Sequence, residues 1–235
     1  MKLVLYAGGH ADQNETLDEN LSYLLERRNP KFTYIPSSSY QSELEFRDLI
    51  KQYSIYGIKK FMLFPIDINF DETFLNEVLS SDVIFLGGGN TYYFLKCLRQ
   101  KKLIPKLKKF VQDGGVLAGL SAGAILMTPN IATAGYPDFD RDDNDVNLKS
   151  LSALRLVNFE FFPHYKNSPR YYNEMIHQSM LTKHPIYACP DGSGIIVNED
   201  MVSFIGKVKL FYQGECVNFL KSPSNQVTGR SLLFT

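Results

Sequence analysis

The chain has 235 residues, of which 44% are hydrophobic, enough to form a continuous core without support from a disulfide or a metal. Its 25 Lys and Arg residues balance 25 Asp and Glu residues, and no basic tract is present, so a nucleic-acid-binding surface is not expected. The three cysteines are widely spaced and suggest neither a disulfide framework nor a metal cluster, which indicates a reducing compartment.

No stretch of the sequence has the features of a signal peptide or a membrane span. The apolar run at the N terminus is too short for a secretory signal. The longest apolar stretch, around Ser121, is well below the roughly 18 residues that a spanning helix needs. We find no repeat, low-complexity tract or domain linker. We therefore expect one cytoplasmic domain over residues 1–235 that does not contact a membrane.

The first half of the chain alternates short apolar runs with amphipathic segments. Strands are predicted at residues 3–7, 32–35, 60–66, 82–86 and 116–118. Helices are predicted at residues 15–28, from a Ser42–Glu45 capping box to Gly57, after Asp71, at 91–99 behind Asn90, and from Pro105 to Gly114. This alternation predicts a parallel sheet with helices on both faces.

The second half has a different composition. Residues 137–145 contain five aspartates and a single arginine, which we interpret as a solvated surface loop. A calcium loop of the EF-hand type would need a glycine hinge and a distal glutamate, and neither is present. The remaining predictions are strands at 156–162, 186–189 and 195–197, a helix at 168–181, and β-hairpins over 202–220.

A glycine-flanked serine at position 121 has the pattern of a nucleophile elbow, in which an apolar strand turns sharply into a helix. Gly119 and Gly123, two residues on either side of Ser121, allow the backbone to bend without a Cβ clash. The first N–H groups of the helix can then stabilise negative charge that develops on a substrate. The pattern predicts Ser121 as a nucleophile, although tight packing of a strand–helix turn favours the same small residues.

A serine nucleophile needs a base within hydrogen-bonding reach. The best candidate is His164, because it ends a predicted strand and is therefore expected at the same rim as Ser121. The other histidines are weaker candidates: His177 and His184 are expected at the surface, and His10 follows two glycines in a predicted mobile loop.

A carboxylate usually orients such a histidine and stabilises its charged form. Asp191 follows a predicted strand, in a Pro-Asp-Gly-Ser-Gly sequence that is also typical of an ordinary β-turn. Asp138, in the acidic loop, is the competing candidate.

Four motifs occur in a recognisable order: Gly87-Gly88-Gly89-Asn90-Thr91, Gly119-Leu120-Ser121-Ala122-Gly123-Ala124, Phe162-Pro163-His164-Tyr165 and Pro190-Asp191-Gly192. Together they resemble the dipeptidase E (aspartyl dipeptidase) family of serine peptidases, which includes cyanophycinase. The resemblance covers essentially the whole chain. It implies a fold like that of the class I glutamine amidotransferases, a flavodoxin-like three-layer α/β/α sandwich with a mostly parallel sheet.

The resemblance also implies roles for individual residues. Ser121 matches the nucleophile and His164 the base, and Asp191 stands where the family usually has a glutamate. Asp138 lies nearest to a second aspartate that has been favoured as the acid in the family. Arg170 resembles the arginine with which the family binds the side chain of an N-terminal aspartate. A guanidinium suits this role because it can bind a carboxylate with two parallel hydrogen bonds.

These residues predict acyl transfer through an acyl-enzyme. The oxyanion is expected between the N–H of Ala122 and an N–H of Gly88 or Gly89, and Asn90 is expected to contact substrate. We expect a monomeric or homodimeric serine peptidase that hydrolyses short peptides, in particular Asp-X dipeptides, without a cofactor or metal.

Two alternatives remain open from the sequence, and a third has less support. One is a cyanophycinase-like exopeptidase that acts on a β-linked Asp-Arg polymer. Another is a protein that only binds a peptide or small ligand, which the aspartate at position 191 would favour. A glutamine amidotransferase would instead carry a cysteine at the elbow, where this chain has Ser121.

Overall fold

The structure, a computed structural model, describes residues 1–219 and 226–228. The strands are β1 (Lys2–Tyr6), β2 (Lys31–Ile35), β3 (Lys60–Leu63), β4 (Val83–Leu86), β5 (Val116–Leu120), β6 (Glu160–Phe162), β7 (Ile186–Ala188), β8 (Gly194–Asn198), β9 (Met201–Ile205), β10 (Val208–Tyr212), β11 (Glu215–Phe219) and β12 (Gln226–Thr228). The α-helices are α1 (Glu15–Tyr23), α2 (Ser42–Ser54), α3 (Glu72–Leu79), α4 (Thr91–Gln100), α5 (Leu103–Gln112), α6 (Ala122–Ile125) and α7 (Pro169–Leu181).

The strands form two sheets. The larger sheet has eight strands in the order β12-β9-β8-β1-β5-β4-β2-β3, and the smaller has four in the order β11-β10-β7-β6. Strands β1 to β5 pair in parallel, whereas β8, β9 and β12 extend the large sheet antiparallel to their neighbours. The predicted class, a mostly parallel sheet between layers of helices, is confirmed.

Strand β1 shows why the central strands appear in the sequence as continuous apolar runs. Leu3 and Leu5 pack into the core on one face of the sheet, under helices α3 to α6. Val4 and Tyr6 point to the other face, where α1 and α2 cover them. Because successive side chains of a strand alternate between faces, a sheet with helices on both sides requires apolar residues at every position.

The sheet brings three loops to one edge. In the register of the parallel strands, Tyr6 of β1 lies beside Leu120 of β5, and Leu86 of β4 lies beside Gly119. The segments that follow these strands therefore emerge together at the carboxyl ends, which is where ligands bind in sheets of this kind.

Three predictions about individual elements were wrong. Helix α1 ends at Tyr23 instead of residue 28. The Ser42–Glu45 capping box is not formed, because Gln41 in the left-handed conformation (φ 59°) precedes α2 and the Ser42 hydroxyl donates to the carbonyl of Ser39. The strand predicted at 156–162 begins only at Glu160, since the N–H groups of residues 154–156 donate to carbonyls just after α6.

The segment predicted as hairpins, residues 202–220, is divided between the two sheets. Strand β9 pairs with β8 in the large sheet, and β10 and β11 form an antiparallel pair in the small one. Leu220 lies outside the described residues, so the end of this prediction is not tested, and the single domain over 1–235 stays a prediction. Among the described residues, none of the helices has both the length and the apolar character required to cross a bilayer.

Candidate active site

Ser121 sits at a strained turn between β5 and α6. Its backbone has φ 51° and ψ −107°, a conformation that costs energy for any residue with a side chain and is found mainly at functional sites. The Ser121 N–H donates to the carbonyl of Tyr6 at 2.9 Å, which fixes the turn to the end of β1. The hydroxyl is thereby presented at the edge of the sheet.

The glycines that flank Ser121 are needed because the backbone passes very close to its neighbours. A Cβ on Gly119 would lie 2.4 Å from the carbonyl carbon of Gly123, and one on Gly123 would lie 2.2 Å from the carbonyl oxygen of Leu86. The packing explanation for the small residues is therefore correct as well, and it coexists with the elbow geometry.

His164 and Asp191 complete a hydrogen-bonded chain with the serine. Ser121 Oγ lies 2.8 Å from His164 Nε2, and His164 Nδ1 lies 2.7 Å from Asp191 Oδ1. The side chains of His164 and Asp191 are about half exposed, at 46% and 48%. The structure brings together the three residues of the predicted Ser-His-acid arrangement, and the distances suit transfer of the hydroxyl proton to the ring nitrogen.

Two turns hold the histidine and the aspartate in place. His164 also has a positive φ, of 55°. Two backbone hydrogen bonds flank it: the Cys189 N–H donates to the Phe162 carbonyl, and the Tyr165 N–H donates to the Cys189 carbonyl. The turn that bears Asp191 is fixed to the end of β1, where the Gly192 N–H donates to the Gly8 carbonyl at 3.0 Å. This attachment holds the turn where Asp191 is within hydrogen-bonding distance of His164.

The predicted oxyanion residues lie beside the serine to different degrees. Ala122 is the first residue of α6, so its N–H has no acceptor within the helix. Gly88 is adjacent to the nucleophile, since a Cβ on it would lie 3.9 Å from the Cβ of Ser121. A Cβ on Gly89 would instead meet Ser37. The oxyanion role of these N–H groups stays a prediction.

A cleft of about 70 Å³ opens next to Ser121 and His164. Ile125, Ala134 and Phe162 contribute apolar side chains to its lining. Thr133 also lines the cleft; it is only 2% exposed, and its buried hydroxyl has no hydrogen-bond partner among the described residues.

Two aspartates of the acidic loop line the same cleft, Asp140 and Asp142. Asp142 Oδ2 accepts a hydrogen bond from the N–H of Thr91 at 2.7 Å, at the start of α4. Asp140 accepts a hydrogen bond from the Tyr171 hydroxyl and lies 3.5 Å from Lys166 Nζ. The Tyr171 hydrogen bond, with smaller contributions from Lys166, lowers the pKa of the Asp140 carboxyl.

Residues 137–145 do form a surface loop, with the Asp140 side chain 44% exposed, but the interpretation did not include the contribution of Asp140 and Asp142 to the cleft. Five aspartates in nine residues were the only signal available, and the sequence could not show which of them face the cleft. The choice is made by tertiary packing, because Phe139 packs edge-on against Tyr171 at 5.2 Å between ring centroids and directs the loop toward α7.

Three other predicted site residues lie outside the hydrogen-bonded chain. Asp138 is 89% exposed and pairs with Arg141 at 2.6 Å, so the structure does not bring it to His164. Asn90 uses its whole amide, since Oδ1 caps Tyr93 and Nδ2 donates to the Asp143 carbonyl; a contact with substrate stays a prediction. Arg170 is exposed, and its guanidinium lies 3.7 Å from the centre of the Phe139 ring.

The remaining histidines lie outside this chain of hydrogen bonds. His177 and His10 are exposed, and His184 is half-buried. Within residues 1–219 and 226–228, no group of three or more His, Cys, Asp or Glu side chains is arranged to hold a metal ion.

Comparison with known proteins identifies relatives along most of the chain. An uncharacterized peptidase of Pasteurella multocida is 29% identical, over 72% of this chain and 80% of its own length. A peptidase E of Nostoc is 27% identical over 73% of this chain and 75% of its own length. A second Pasteurella multocida protein, also named peptidase E, is 24% identical over 97% and 99%.

Two solved structures have a similar fold. A crystal structure of a candidate peptidase E from Listeria monocytogenes superposes with a TM-score of 0.68 at 25% identity, covering 86% of this chain and 96% of the other. A peptidase from an acI-B1 Actinobacterium superposes with a TM-score of 0.73 at 18% identity, covering 97% and 96%, which supports the fold alone. The model of peptidase family S51 matches residues 3–205. The resemblance inferred from the four motifs is thus confirmed, and the chain belongs to peptidase family S51.

Proposed function

We propose that this peptidase is a serine-dependent exopeptidase that hydrolyses short peptides with an N-terminal aspartate. The observation that carries the proposal is the hydrogen-bonded chain from Ser121 through His164 to Asp191, with separations of 2.8 and 2.7 Å. A serine hydroxyl is a poor nucleophile at neutral pH, and a neighbouring imidazole held in the correct tautomer by a carboxylate activates it.

In the proposed mechanism, Ser121 Oγ attacks the carbonyl carbon of the scissile peptide bond while His164 Nε2 accepts the hydroxyl proton. The negative charge on the carbonyl oxygen is stabilised by the N–H of Ala122 together with that of Gly88 or Gly89. His164 then protonates the leaving amine, so that the peptide bond breaks and an acyl-enzyme forms. Water, deprotonated by His164, attacks the acyl-enzyme in the same way and releases the acid.

The preference for aspartate rests on Arg170 and on the charge of the cleft. No carboxylate of the described residues forms an ion pair with Arg170, so its guanidinium is available to a substrate carboxylate. The α-ammonium of an N-terminal residue suits Asp140 and Asp142, whose carboxylates line the cleft beside Ser121. An N-terminal aspartate carries both complementary groups.

The first experiment is labelling by a small fluorophosphonate that reacts with activated serines. We expect the wild type to be labelled and the variants Ser121→Ala and His164→Ala to remain unlabelled. Labelling that persists in Ser121→Ala would remove the serine mechanism, and an unlabelled wild type would favour a protein that binds a peptide without turnover.

The second experiment measures specificity with Asp-X, Glu-X and Ala-X dipeptides. Arg170→Gln should reduce kcat/KM for Asp-X peptides about tenfold or more, because a charge-assisted bidentate contact is lost, and should reduce serine labelling far less. Arg155→Gln is the matched control, since Arg155 is also exposed, whereas Arg170 stacks on Phe139 in the loop whose aspartates line the cleft. Equal rates on Asp-X and Ala-X peptides would contradict the preference, and release of dipeptides from a β-linked Asp-Arg polymer would favour the cyanophycinase-like alternative.

A further inference from the structure

A cavity separate from the catalytic cleft lies at the start of β6, at the opposite end of this strand from His164. Its volume is about 380 Å³, within the range of small-molecule sites. Leu181 is 67% exposed and Lys183 is exposed as well, so the cavity opens to solvent. We call it the β6 cavity; the lining residues that matter here are Tyr136, Glu160, Leu181, Thr182, Lys183 and His184.

The β6 cavity and the catalytic cleft share one aromatic residue. Tyr136 lines both, and its ring stacks on that of Phe162 with 5.9 Å between centroids and 4° between planes. Phe162 packs under α7, and Glu160, two residues earlier in β6, is on the same face because side chains alternate along a strand. A ligand in the β6 cavity would therefore contact a residue that also forms a wall of the cleft.

Glu160 places a buried carboxylate at the wall of the β6 cavity. Glu160 is 2% exposed, and its Oε1 accepts hydrogen bonds from Asn130 Nδ2 at 2.9 Å and from the Thr182 hydroxyl at 2.8 Å. Both donors are uncharged, and both residues line the cavity themselves. Among the described residues, no basic side chain forms an ion pair with Glu160, and its Oε2 has no hydrogen-bond partner. A buried carboxylate without a counter-charge is costly, so a cation at this wall would offset the cost.

The end of α7 favours a cation at the same place. The helix ends at Leu181, and both Leu181 and Thr182 line the cavity. The last carbonyl groups of a helix carry partial negative charge, which a nearby cation complements. The last turn of α7 contains no basic residue that could supply this charge from within the helix.

The rim of the cavity carries groups of the opposite kind. Lys183 and His184 follow α7 and line the cavity, and Lys183 forms no ion pair with an acid of the described residues. The lysine ammonium offers three hydrogen-bond donors and a positive charge to a carboxylate. The β6 cavity thus combines a wall suited to an ammonium group with a rim suited to a carboxylate.

We propose that the β6 cavity binds a free amino acid, with the ligand's ammonium group toward Glu160 and its carboxylate toward Lys183. Leu181 and the ring of Tyr136 provide apolar contacts for an aliphatic side chain. A ligand with only an ammonium group would not use Lys183, and a ligand with only a carboxylate would be repelled by Glu160. Binding at this site does not depend on the proposed function; if that function holds, the ligand belongs to the class of its products.

The first test is calorimetric titration of the wild-type protein with L-leucine, leucinamide and N-acetyl-leucine. Leucinamide keeps the ammonium group alone, and N-acetyl-leucine keeps the carboxylate alone. We expect L-leucine to bind about tenfold more tightly than either, because only L-leucine makes charge-assisted hydrogen bonds at both ends. No saturable binding of L-leucine, or leucinamide binding as tightly as L-leucine, would overturn the proposal.

Variants then locate the bound amino acid. Glu160→Gln should weaken L-leucine binding about tenfold, while its amide oxygen still accepts from Asn130 and Thr182. Lys183→Gln changes an exposed residue, so it keeps the test decisive if Glu160→Gln does not fold; it should remove the advantage of L-leucine over leucinamide. Lys149→Gln is the matched control, since Lys149 is exposed and does not line the cavity, and its affinities should equal those of the wild type.

A variant of the catalytic cleft separates the two sites. Asp140→Asn alters the cleft and leaves the β6 cavity intact, so L-leucine should bind it as tightly as it binds the wild type. Binding that Asp140→Asn abolishes and Glu160→Gln or Lys183→Gln leaves unchanged would place the amino acid in the cleft and refute the assignment. Because none of these titrations requires turnover, their outcome is independent of whether peptides are hydrolysed.

Discussion

The substitution Gly8→Ala tests whether the contact between His164 and Asp191 governs activity. Gly8 follows β1, and its carbonyl accepts the N–H of Gly192, so the loop lies directly beneath the pair. The missing side chain leaves the space in which the two groups meet. A single methyl group at this position would enter that space without changing any residue of the proposed catalytic chain.

The size of the effect follows from distances. An alanine Cβ at position 8 would lie 2.3 Å from Asp191 Oδ1 and 2.3 Å from His164 Cε1, which is 1.1 Å short of the 3.4 Å at which ordinary van der Waals contact begins. The imidazole or the carboxylate must therefore move by about 1 Å. Misplacement of a catalytic group by this distance typically costs about 10²-fold in rate.

The assay is the second-order rate of labelling by the fluorophosphonate, measured beside the thermal unfolding temperature. Gly8 has φ +154°, so backbone strain can lower the unfolding temperature as well, and Gly114→Ala controls for this. Gly114 has φ +100° and no atom within 4 Å of its Cβ position. We expect Gly114→Ala to lose stability and keep its labelling rate. If Gly8→Ala labels within about threefold of the wild type, the coupling between the pair and catalysis is refuted.

Two further predictions concern aspartates. Asp191→Asn should lower kcat by about 10²- to 10⁴-fold, because an amide cannot hold the imidazole in the same tautomer. The kcat of Asp138→Asn should stay within about twofold of the wild type. Steady-state kinetics measures both values, and a larger loss in Asp138→Asn than in Asp191→Asn would make Asp138 the acid. Asp18 is 1% exposed, and burial raises the pKa of its carboxyl above the ordinary 3.8. The free energy of unfolding should therefore fall as the pH rises from 3.8 through the raised pKa. Urea titrations at several pH values measure this fall, and Asp18→Asn should remove it. The same pH dependence in the wild type and in Asp18→Asn would contradict the assignment.

The parts of the site that could be predicted are those with a local cause. The elbow at Ser121 is visible in the sequence because positions 119 and 123 must be glycine. A Cβ on Gly119 would clash with the backbone of Gly123, and one on Gly123 would clash with that of Leu86. The caps Asp71 and Asn90 are equally local, since each accepts a hydrogen bond from a backbone N–H three residues further on. Strands β1, β2, β4 and β5 of the parallel sheet were recognisable because nearly all of their residues are buried.

The acid of the proposed chain needed more than local pattern. Pro-Asp-Gly is an ordinary turn sequence, and the residues alone left Asp191 and Asp138 as competitors. The structure brings one of them to the histidine because β8 pairs antiparallel with β1, with Gly194 beside Tyr6, so that the turn before β8 lies against the Gly8 loop.

The sequence by itself determined the class of fold, the position of the elbow and the family motifs, because these depend on spacing within windows of a few residues. Only the tertiary structure decided which loops meet. Ser121 and His164 are 43 positions apart and His164 and Asp191 are 27 apart, and their contacts arise from strand order and register. The same reason explains why the contribution of Asp140 and Asp142 to the cleft was not foreseen: the cleft is formed by segments that periodicity cannot relate to one another.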